Sequence, residues 1–363
     1  LTSSRDAQKT EFLTANGWGD AARALVAGDA SARSYVRLTL GDKRAVLMDA
    51  PVMAEGAICP AGADEAARTA LGYTAAARLA GTDPNAFVCL AVELKRRGFS
   101  APRILGADIT NGFVLMEDLG TARVAEDLLE NLTLETEIYE AAIDTLAAIY
   151  RASFMSDMSA RGASWHVGVY DAPAMQAEAD LYTGWYAPHF DQGLGKAALA
   201  EWAHLWTQAY RKLGAHAPGL ALRDFHAENI FHLPARAGTS NIGLIDFQDA
   251  LFAHPSYDLV SLLEDARRDV DLNLVDPLIN RFCAKAGLKD DDKFRAAYAV
   301  HGAQRNAKIL GIFVRLNTRD NKPRYLDLIP RVAAHFRNDL SHPALAELKA
   351  WTKKYTPSLW EGI

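Results

Sequence analysis

Leu222-Arg223-Asp224-Phe225-His226-Ala227-Glu228-Asn229-Ile230-Phe231, with Gly243-Leu244-Ile245-Asp246-Phe247-Gln248-Asp249 a short way beyond it, is the stretch of sequence on which the fold turns. Asp224 stands five residues before Asn229, and Asp246 follows Asn229 by seventeen. The apolar runs at 230–233 and 242–246 read as two short strands, so the three residues fall in adjacent loops at strand ends. Phosphoryl transfer needs a carboxylate near the attacking hydroxyl and hard oxygen ligands for a Mg²⁺ on the nucleotide phosphates. An Asp, an Asn and a second Asp supply these in this order. Each piece alone is common; the order, the spacing and the intervening strand pair together are not. If Asp224 and Asp246 merely capped turns, nothing would require that combination.

Working outward, the region upstream is rich in strands. Val36, Leu38 and Leu40 alternate with polar partners, Gly41-Asp42 breaks the run, and Ala45-Val46-Leu47-Met48 resumes it, which predicts a hairpin. A helix is expected after Pro84, with Phe87, Leu90, Ala91 and Leu94 on one face and Gly98 closing it. Strands follow at Arg103–Ala107 and Gly112–Glu117, while the Ala- and Gly-rich stretch 53–82 reads as an insertion or a weakly packed helix. After Leu119-Gly120 the period turns helical: Ile138, Ala142, Leu146 and Ile149 share a face, as do Leu199, Trp202, Leu205, Trp206, Ala209 and Leu213. That Trp/Leu stripe is read as core. Further helical patterns cover roughly 257–268, 294–316 and 326–340. The expected architecture is α+β and bilobal, with a small β-rich N-terminal lobe at 1–117, a hinge near 117–120 and a larger, mainly helical C-terminal lobe at 118–363.

Composition narrows the function. The chain has 363 residues, 50% hydrophobic and 23% charged, enough to bury a sizeable core without staples. Its net charge of −6 and the absence of any basic run longer than Lys95-Arg96-Arg97 argue against nucleic acid. Cys59, Cys89 and Cys283 are odd in number and lack CxxC spacing, so a reducing compartment is expected. The residues from Leu1 onward show no apolar stretch of signal length, and no window approaches ~18 apolar residues, so neither secretion nor a membrane span is expected and the chain is placed in the cytoplasm. No Walker A loop, HExxH or GxSxG is present, and Gly17-x-Gly19-x-x-Ala22 follows a helix-like segment rather than a strand.

Beyond the Asp-Asn-Asp set, the chain resembles the aminoglycoside phosphotransferase/choline kinase superfamily, a branch of the protein-kinase-like fold. More narrowly it is similar to the bacterial anomeric kinases of cell-wall recycling, which act on N-acetylmuramate and N-acetylglucosamine. The likeness runs through Gly28–Tyr35, Val46-Leu47-Met48-Asp49-Ala50-Pro51, Gly112–Gly120, Ile245–Ala250, Tyr257-Asp258-Leu259, Gln304–Phe313 and Lys322–Leu326. It implies a two-lobed fold and an ATP- and Mg²⁺-dependent phosphotransferase acting on a small-molecule acceptor. Asp224 would accept or orient the proton of the acceptor hydroxyl, and Arg223 would bind phosphate or anchor the loop. Asn229 and Asp246 would bind Mg²⁺. Asp29, Ala30, Ser31 and Arg33 would cover the ATP phosphates, and Met116, Glu117 and Leu119 would line the adenine slot. Asp258 would anchor the catalytic loop. Other acceptors (an aminoglycoside, choline, homoserine) and a nucleotide-binding pseudokinase are the competing expectations.

Two positions depart from the kinase pattern. Where a strand Lys would pair the α- and β-phosphates the chain has Met48, leaving Arg33, Lys43 or Arg44 to supply the charge and Glu93 without its customary partner. Two residues before Asp224, where relatives have a bracing His, stands Leu222. For the acceptor, Trp165, Glu178 and Trp185 are the candidates, because flat aromatics beside a carboxylate suit a sugar. A lactyl carboxylate on that sugar would call for a cation, with Arg315, Arg319 or Arg324 as candidates in the most basic stretch of the large lobe, 304–325, where most of Lys308, Arg315, Arg319, Lys322 and Arg324 are read as a solvated helix face.

Overall fold

A computed structural model describes residues 4–26, 33–51, 56–121 and 123–361. The Asp29-Ala30-Ser31 turn lies outside the described residues. The chain divides into two packed units that interleave in sequence: 1–145, 152–168 and 227–250 form the first, and 146–151, 169–226 and 251–363 the second.

The first unit is built on a five-stranded antiparallel sheet of order β1 (Ala22–Val26), β2 (Ser34–Leu40), β3 (Lys43–Asp49), β5 (Phe113–Glu117), β4 (Ile104–Asp108). The expected hairpin is β2–β3, turned at Gly41 with φ +57°, a conformation that glycine adopts without a Cβ penalty. Val36, Leu38, Ala45, Leu47, Phe113 and Leu115 point to one face, where Phe12 and Leu13 of helix α1 (Ser4–Ala15) and Trp18 complete a core. Lys9 ties α1 to the sheet through Asp49 at 2.7 Å. The Ala-rich stretch contains two short helices, α2 (Glu65–Leu71) and α3 (Tyr73–Ala76).

Helix α4 (Pro84–Arg96) forms where its sequence signals it. Asp83 caps it by accepting from the Asn85 N–H at 2.8 Å, Pro84 opens it, and Gly98 leaves it with φ +89°. Its buried Phe87 stacks on Phe247 at 5.0 Å between ring centroids, which fixes the loop carrying Asp246. Helices α5 (Val124–Glu130) and α6 (Glu135–Arg151), the hairpin β6 (Asp157–Ala160) and β7 (Ala163–His166), and the hairpin β9 (Ile230–His232) and β10 (Ile242–Leu244) follow.

The second unit has a small strand pair, β8 (Gly219–Ala221) with β11 (Leu251–Ala253), and is otherwise helical. Its helices are α7 (Ala172–Leu181), α8 (Ala187–Phe190), α9 (Lys196–Tyr210), α10 (Ser256–Leu263), α11 (Leu272–Ala286), α12 (Asp292–Asp320), α13 (Ile329–Asp339), α14 (Ala346–Tyr355) and α15 (Ser358–Glu361), with a π-turn at Tyr182–Tyr186 between α7 and α8. The Trp/Leu stripe is core as expected: Trp202, Leu205, Trp206 and Ala209 are buried, and Trp202 packs on Trp351 at 4.7 Å. Leu199 departs from the stripe and is exposed.

Two helical expectations are corrected. The pattern at 257–268 stops at Leu263, where Glu264 leaves helical geometry at φ −117°, ψ 52°. The pattern at 326–340 opens with a 3₁₀ segment, Pro323–Leu328, and becomes α-helical at Ile329.

The long α12 packs closely on α7. A Cβ on Gly311 would lie 2.2 Å from the Leu181 carbonyl oxygen, so only glycine lets the two backbones meet. Gly311→Ala is therefore expected to cost about 1–3 kcal/mol, the usual range for overpacking, read as a lowered denaturant midpoint at unchanged slope.

Candidate active site

In the first unit the β9–β10 hairpin sets the geometry. Ile230 pairs with Leu244, and the Ile245 N–H donates to the Asn229 carbonyl at 3.1 Å, which brings Asn229 and Asp246 side by side. Asn229 Nδ2 donates to Asp246 Oδ2 at 3.3 Å, and Gln248 Nε2 donates to Oδ1 at 2.8 Å. Asp246 has φ +58°, left-handed backbone of the kind that costs energy in a non-glycine residue and is held by its surroundings. Phe247 and Asp249 do the holding, through the Phe87 stack and through Asp249 Oδ1 accepting from the Ala80 N–H at 2.6 Å. A carboxylate beside an amide is a hard oxygen donor set that suits Mg²⁺ when phosphate and water complete the shell. Among the described residues no group of three or more His, Cys, Asp or Glu gathers at one point, so this pair would depend on those further oxygens.

Of the three cations that could replace a strand Lys, Lys43 and Arg44 are exposed and Arg33 is buried. The Arg33 guanidinium donates to the Gly81 carbonyl. Burial raises the Tyr35 hydroxyl pKa, while Arg33 pulls it down and Asp246 pushes it up, so Tyr35 lies in the field of both groups. Met48 is fully buried on the sheet. Glu93, deprived of a strand Lys, pairs instead with Arg96 at 3.1 Å and with Arg97.

The segment 117–120, expected as a hinge, lies within the first unit and is pinned at Glu117, Asp118 and Gly120. Asp118 accepts from Arg37 Nε at 2.7 Å and from the Gly120 N–H at 2.9 Å. Burial pushes the Glu117 carboxyl up, but the Arg103 N–H, Lys95 and Arg236 outweigh it and hold it below its ordinary value. The Glu117 side chain is thus engaged within the protein, as is its N–H, which donates to the Arg103 carbonyl at 2.9 Å, while Met116 and Leu119 are buried.

In the second unit Asp224 follows Arg223, whose φ is +73°. Asp258, on α10, clamps this turn: Oδ2 accepts from the Leu222 N–H at 2.6 Å and Oδ1 from the Arg223 N–H at 2.9 Å. Ser261 Oγ adds a bond to the Arg223 carbonyl at 3.3 Å. Leu222 itself is buried, so bracing by a side chain at that position is replaced by bracing of its backbone.

The Arg223 guanidinium pairs with Glu178, which also receives Lys308 Nζ at 3.1 Å and the Tyr170 hydroxyl. Glu178 is 0% exposed, and although burial raises its pKa, Arg223 and Lys308 bring it below the ordinary value. It therefore reaches an acceptor only through the cations it holds. Burial likewise raises the Asp224 carboxyl, and Lys308 first, with Arg305 and Arg223, lowers it beyond that. His226 is pushed down to about 4 by burial and is neutral at pH 7. Trp185 lies partly buried in the π-turn against the aromatic core of the second unit, whereas Trp165 is paired with Met158 in the β6–β7 hairpin of the first.

Sequence reading missed Lys308 and Arg305 as buried groups, and their signal was present. Gln304, Arg305, Asn306 and Lys308 fall within an Ala- and Gly-rich stretch of α12 that is buried throughout. Polar residues in a helical segment without a solvent face must find partners. By contrast Arg319 is an exposed surface residue that pairs with its neighbour Asp320, and Arg324 lies over the Tyr325 ring.

Burial carries Asp258 up to about 6 against the two backbone N–H bonds that lower it. Its folded value exceeds the ordinary carboxylate value, so its contribution to stability is complete below about pH 4 and is lost as pH rises through about 6. The clamp needs the opposite state, because both Asp258 oxygens accept. Activity is therefore expected to fall as pH drops through about 6 without a parallel loss of thermal stability. Asp258→Asn, which cannot accept both N–H bonds, should flatten that limb and lower activity at every pH.

A five-stranded antiparallel sheet and a hairpin pairing Asn229 with Asp246 in the first unit, and a clamped loop presenting Asp224 in the second, are the parts expected of a kinase-like phosphotransferase of small molecules. Residues 23–298 match the phosphotransferase enzyme family, and the chain belongs to that family. It is 43% identical over 357 residues to an N-acetylmuramate/N-acetylglucosamine kinase of Caulobacter vibrioides, covering 98% of each chain. Identity to a protein of the same name from Pseudomonas aeruginosa is 30%, over 93% of this chain and 90% of the relative. Among solved structures, an aminoglycoside 2′-phosphotransferase superposes with a TM-score of 0.59 at 16% identity, covering 93% of this chain and 99% of the other. A microcompartment-associated aminopropanol kinase does so with a TM-score of 0.57 at 13% identity, over 95% and 98%. The fold is thus the protein-kinase-like α+β fold that the sequence led us to expect. No helix among the described residues is long and apolar enough to cross a membrane.

Proposed function

We infer that this chain is an ATP-dependent kinase of amino sugars that phosphorylates the anomeric hydroxyl of N-acetylmuramate or N-acetylglucosamine. The observation that carries this reading is the 43% identity, over nearly the whole chain, to a kinase named for those two sugars. The local geometry supports it: Asp224 is kept ionised by surrounding cations on a clamped turn, and Asn229 and Asp246 form an oxygen pair.

In the reaction the anomeric oxygen bonds to the γ-phosphorus, the bond from that phosphorus to the β,γ-bridging oxygen breaks, and ADP leaves. Asp224 accepts or orients the hydroxyl proton; its depressed pKa favours orientation early and proton transfer late. Asn229 and Asp246 would hold Mg²⁺, which neutralises phosphate charge when bound. Arg33 supplies the cation that Met48 cannot, and Asp29, Ala30 and Ser31 are assigned to the phosphates. The backbone at Met116, Glu117 and Leu119 receives the adenine. Glu178 acts on the acceptor through Arg223 and Lys308, with Trp165 and Trp185 as aromatic surfaces for the sugar. Residues 1–117 are assigned the nucleotide and 118–363 catalysis and acceptor binding. This is a division of roles, since the hairpin 227–250 packs with the first unit. The chain acts in the cytoplasm.

The test is ADP release from Mg-ATP with N-acetylmuramate, N-acetylglucosamine, kanamycin, choline and homoserine. Turnover on the amino sugars with an acid-labile product phosphate supports the reading; turnover on another acceptor alone rejects it. Asp246→Ala is expected to weaken Mg²⁺-dependent nucleotide binding by about tenfold or more, measured by titration calorimetry with and without the metal. Unchanged binding would remove Asp246 from the metal site.

A further inference from the structure

Four polar side chains are buried in one stretch of α12, and three of them have evident work. Gln304 donates to the Met175 carbonyl at 3.0 Å, Asn306 donates to Glu264 at 2.7 Å and Asp339 at 2.9 Å, and Lys308 pairs with Glu178 at 3.1 Å. Arg305 is different. It is only 6% exposed, and its Nη1 has no hydrogen-bond partner among the described residues. Arg305 lies one helical turn before Lys308, and its charge acts on Asp224, on Asp258 and on His226.

A guanidinium keeps its charge when buried, and leaving one of its N–H groups without an acceptor is costly. Neighbouring carboxylates do not relieve it at Nη1: Asp258 is committed to the Leu222 and Arg223 N–H groups, and Glu178 to Arg223, Lys308 and Tyr170. The unmet donor is thus a planar cation beside the residue that handles the acceptor hydroxyl. Its unmet Nη1 can donate a charge-assisted hydrogen bond to a carboxylate oxygen.

We propose that Arg305 is a specificity-determining residue that binds the carboxylate of an anionic acceptor, here the lactyl carboxylate that N-acetylmuramate carries and N-acetylglucosamine lacks. The inference rests on the amino-sugar reading and deepens it. It moves carboxylate recognition from Arg315, Arg319 or Arg324 to a buried residue in the field of Asp224. The phosphate charge of the nucleotide falls to other residues, Arg33 among them, so the unmet Nη1 of Arg305 is left for the acceptor beside that side chain's effect on Asp224. Because the contact is made with the bound sugar before as well as during transfer, it acts mainly on KM.

The experiment compares kcat and KM for N-acetylmuramate, its lactyl carboxamide and N-acetylglucosamine in the wild type, Arg305→Gln and Arg305→Lys. The expected result for Arg305→Gln is a fall of about 10- to 100-fold in the ratio of kcat/KM for N-acetylmuramate to that for N-acetylglucosamine, carried by KM. Wild type should discriminate against the carboxamide and Arg305→Gln should not, while Arg305→Lys, keeping charge but losing the guanidinium geometry, falls between. Turnover of N-acetylglucosamine reports that each variant is folded. An equal fall for both sugars would overturn the inference, because Arg305 would then serve the phosphoryl group or the fold. An unchanged ratio would also overturn it. Should Arg305→Gln fail to fold, the wild-type comparison decides, and equal kcat/KM for acid and carboxamide rejects the proposal. Wild type that phosphorylates neither sugar overturns the functional reading and this inference together, an outcome distinct from a changed or unchanged ratio.

Discussion

Asp224→Asn is expected to lower kcat by about 10²- to 10⁴-fold, the usual worth of a positioned proton acceptor, while Mg-ATP still binds. The variant keeps the shape of the side chain and removes its charge. In the wild type that charge is balanced by Lys308, Arg305 and Arg223, all of which lower the Asp224 pKa against the effect of burial. The loss should therefore fall on kcat, with the KM for ATP changed by only a few-fold. Pre-steady-state phosphoryl transfer, followed together with nucleotide binding, separates the two. A variant that turns over at close to the wild-type rate would show that Asp224 does not handle the proton.

The second large effect is on stability. Glu178→Ala is expected to cost about 3–5 kcal/mol, because it leaves Arg223 and Lys308 buried without their shared carboxylate. In a denaturant titration that loss appears as a lowered midpoint. Adding Lys308→Met to Glu178→Ala should recover part of it, since exchanging buried ions for apolar groups of similar volume is often neutral. Were Glu178 a direct ligand of the acceptor instead, Glu178→Ala would raise KM for the sugar and leave the midpoint nearly unchanged.

These two residues also mark the reach of sequence reading. Asn229 and Asp246 were legible because a hairpin whose strands have their own apolar pattern brings them together, and Asp224 because it stands five residues before Asn229 in the sequence. The sheet was legible for a similar reason: β2 and β3 are joined by a two-residue glycine turn, and their alternation tells which face is buried. Glu178 shows the other case. Its partners Arg223 and Lys308 lie 45 and 130 residues away in the chain, and no local period couples a carboxylate to cations at that distance. Lys308 in isolation looks like a solvated lysine, and only the packing of α12 on every side removes the water. Helix α11 escaped notice because Pro277 stands inside it, where the missing N–H and fixed φ argue against a helix, yet Asp271 caps its start and Gly287 closes it at φ +73°. The strands of 3–4 residues at β6, β7 and β11 are too short to show a period.

The interleaving of the two packed units bears on how the polypeptide is made and altered. The chain passes between them five times, the last crossing falling after Ala250. During synthesis the sheet-bearing unit cannot finish until its Asn229–Asp246 hairpin has emerged, well after the last strand of its sheet, which ends at Glu117. Nor does any single break in the chain release a complete half. Exchange of parts between relatives therefore has to proceed by patches rather than by one clean joint, and segments 169–226 and 251–363 are where such patches leave the Asn229–Asp246 hairpin intact.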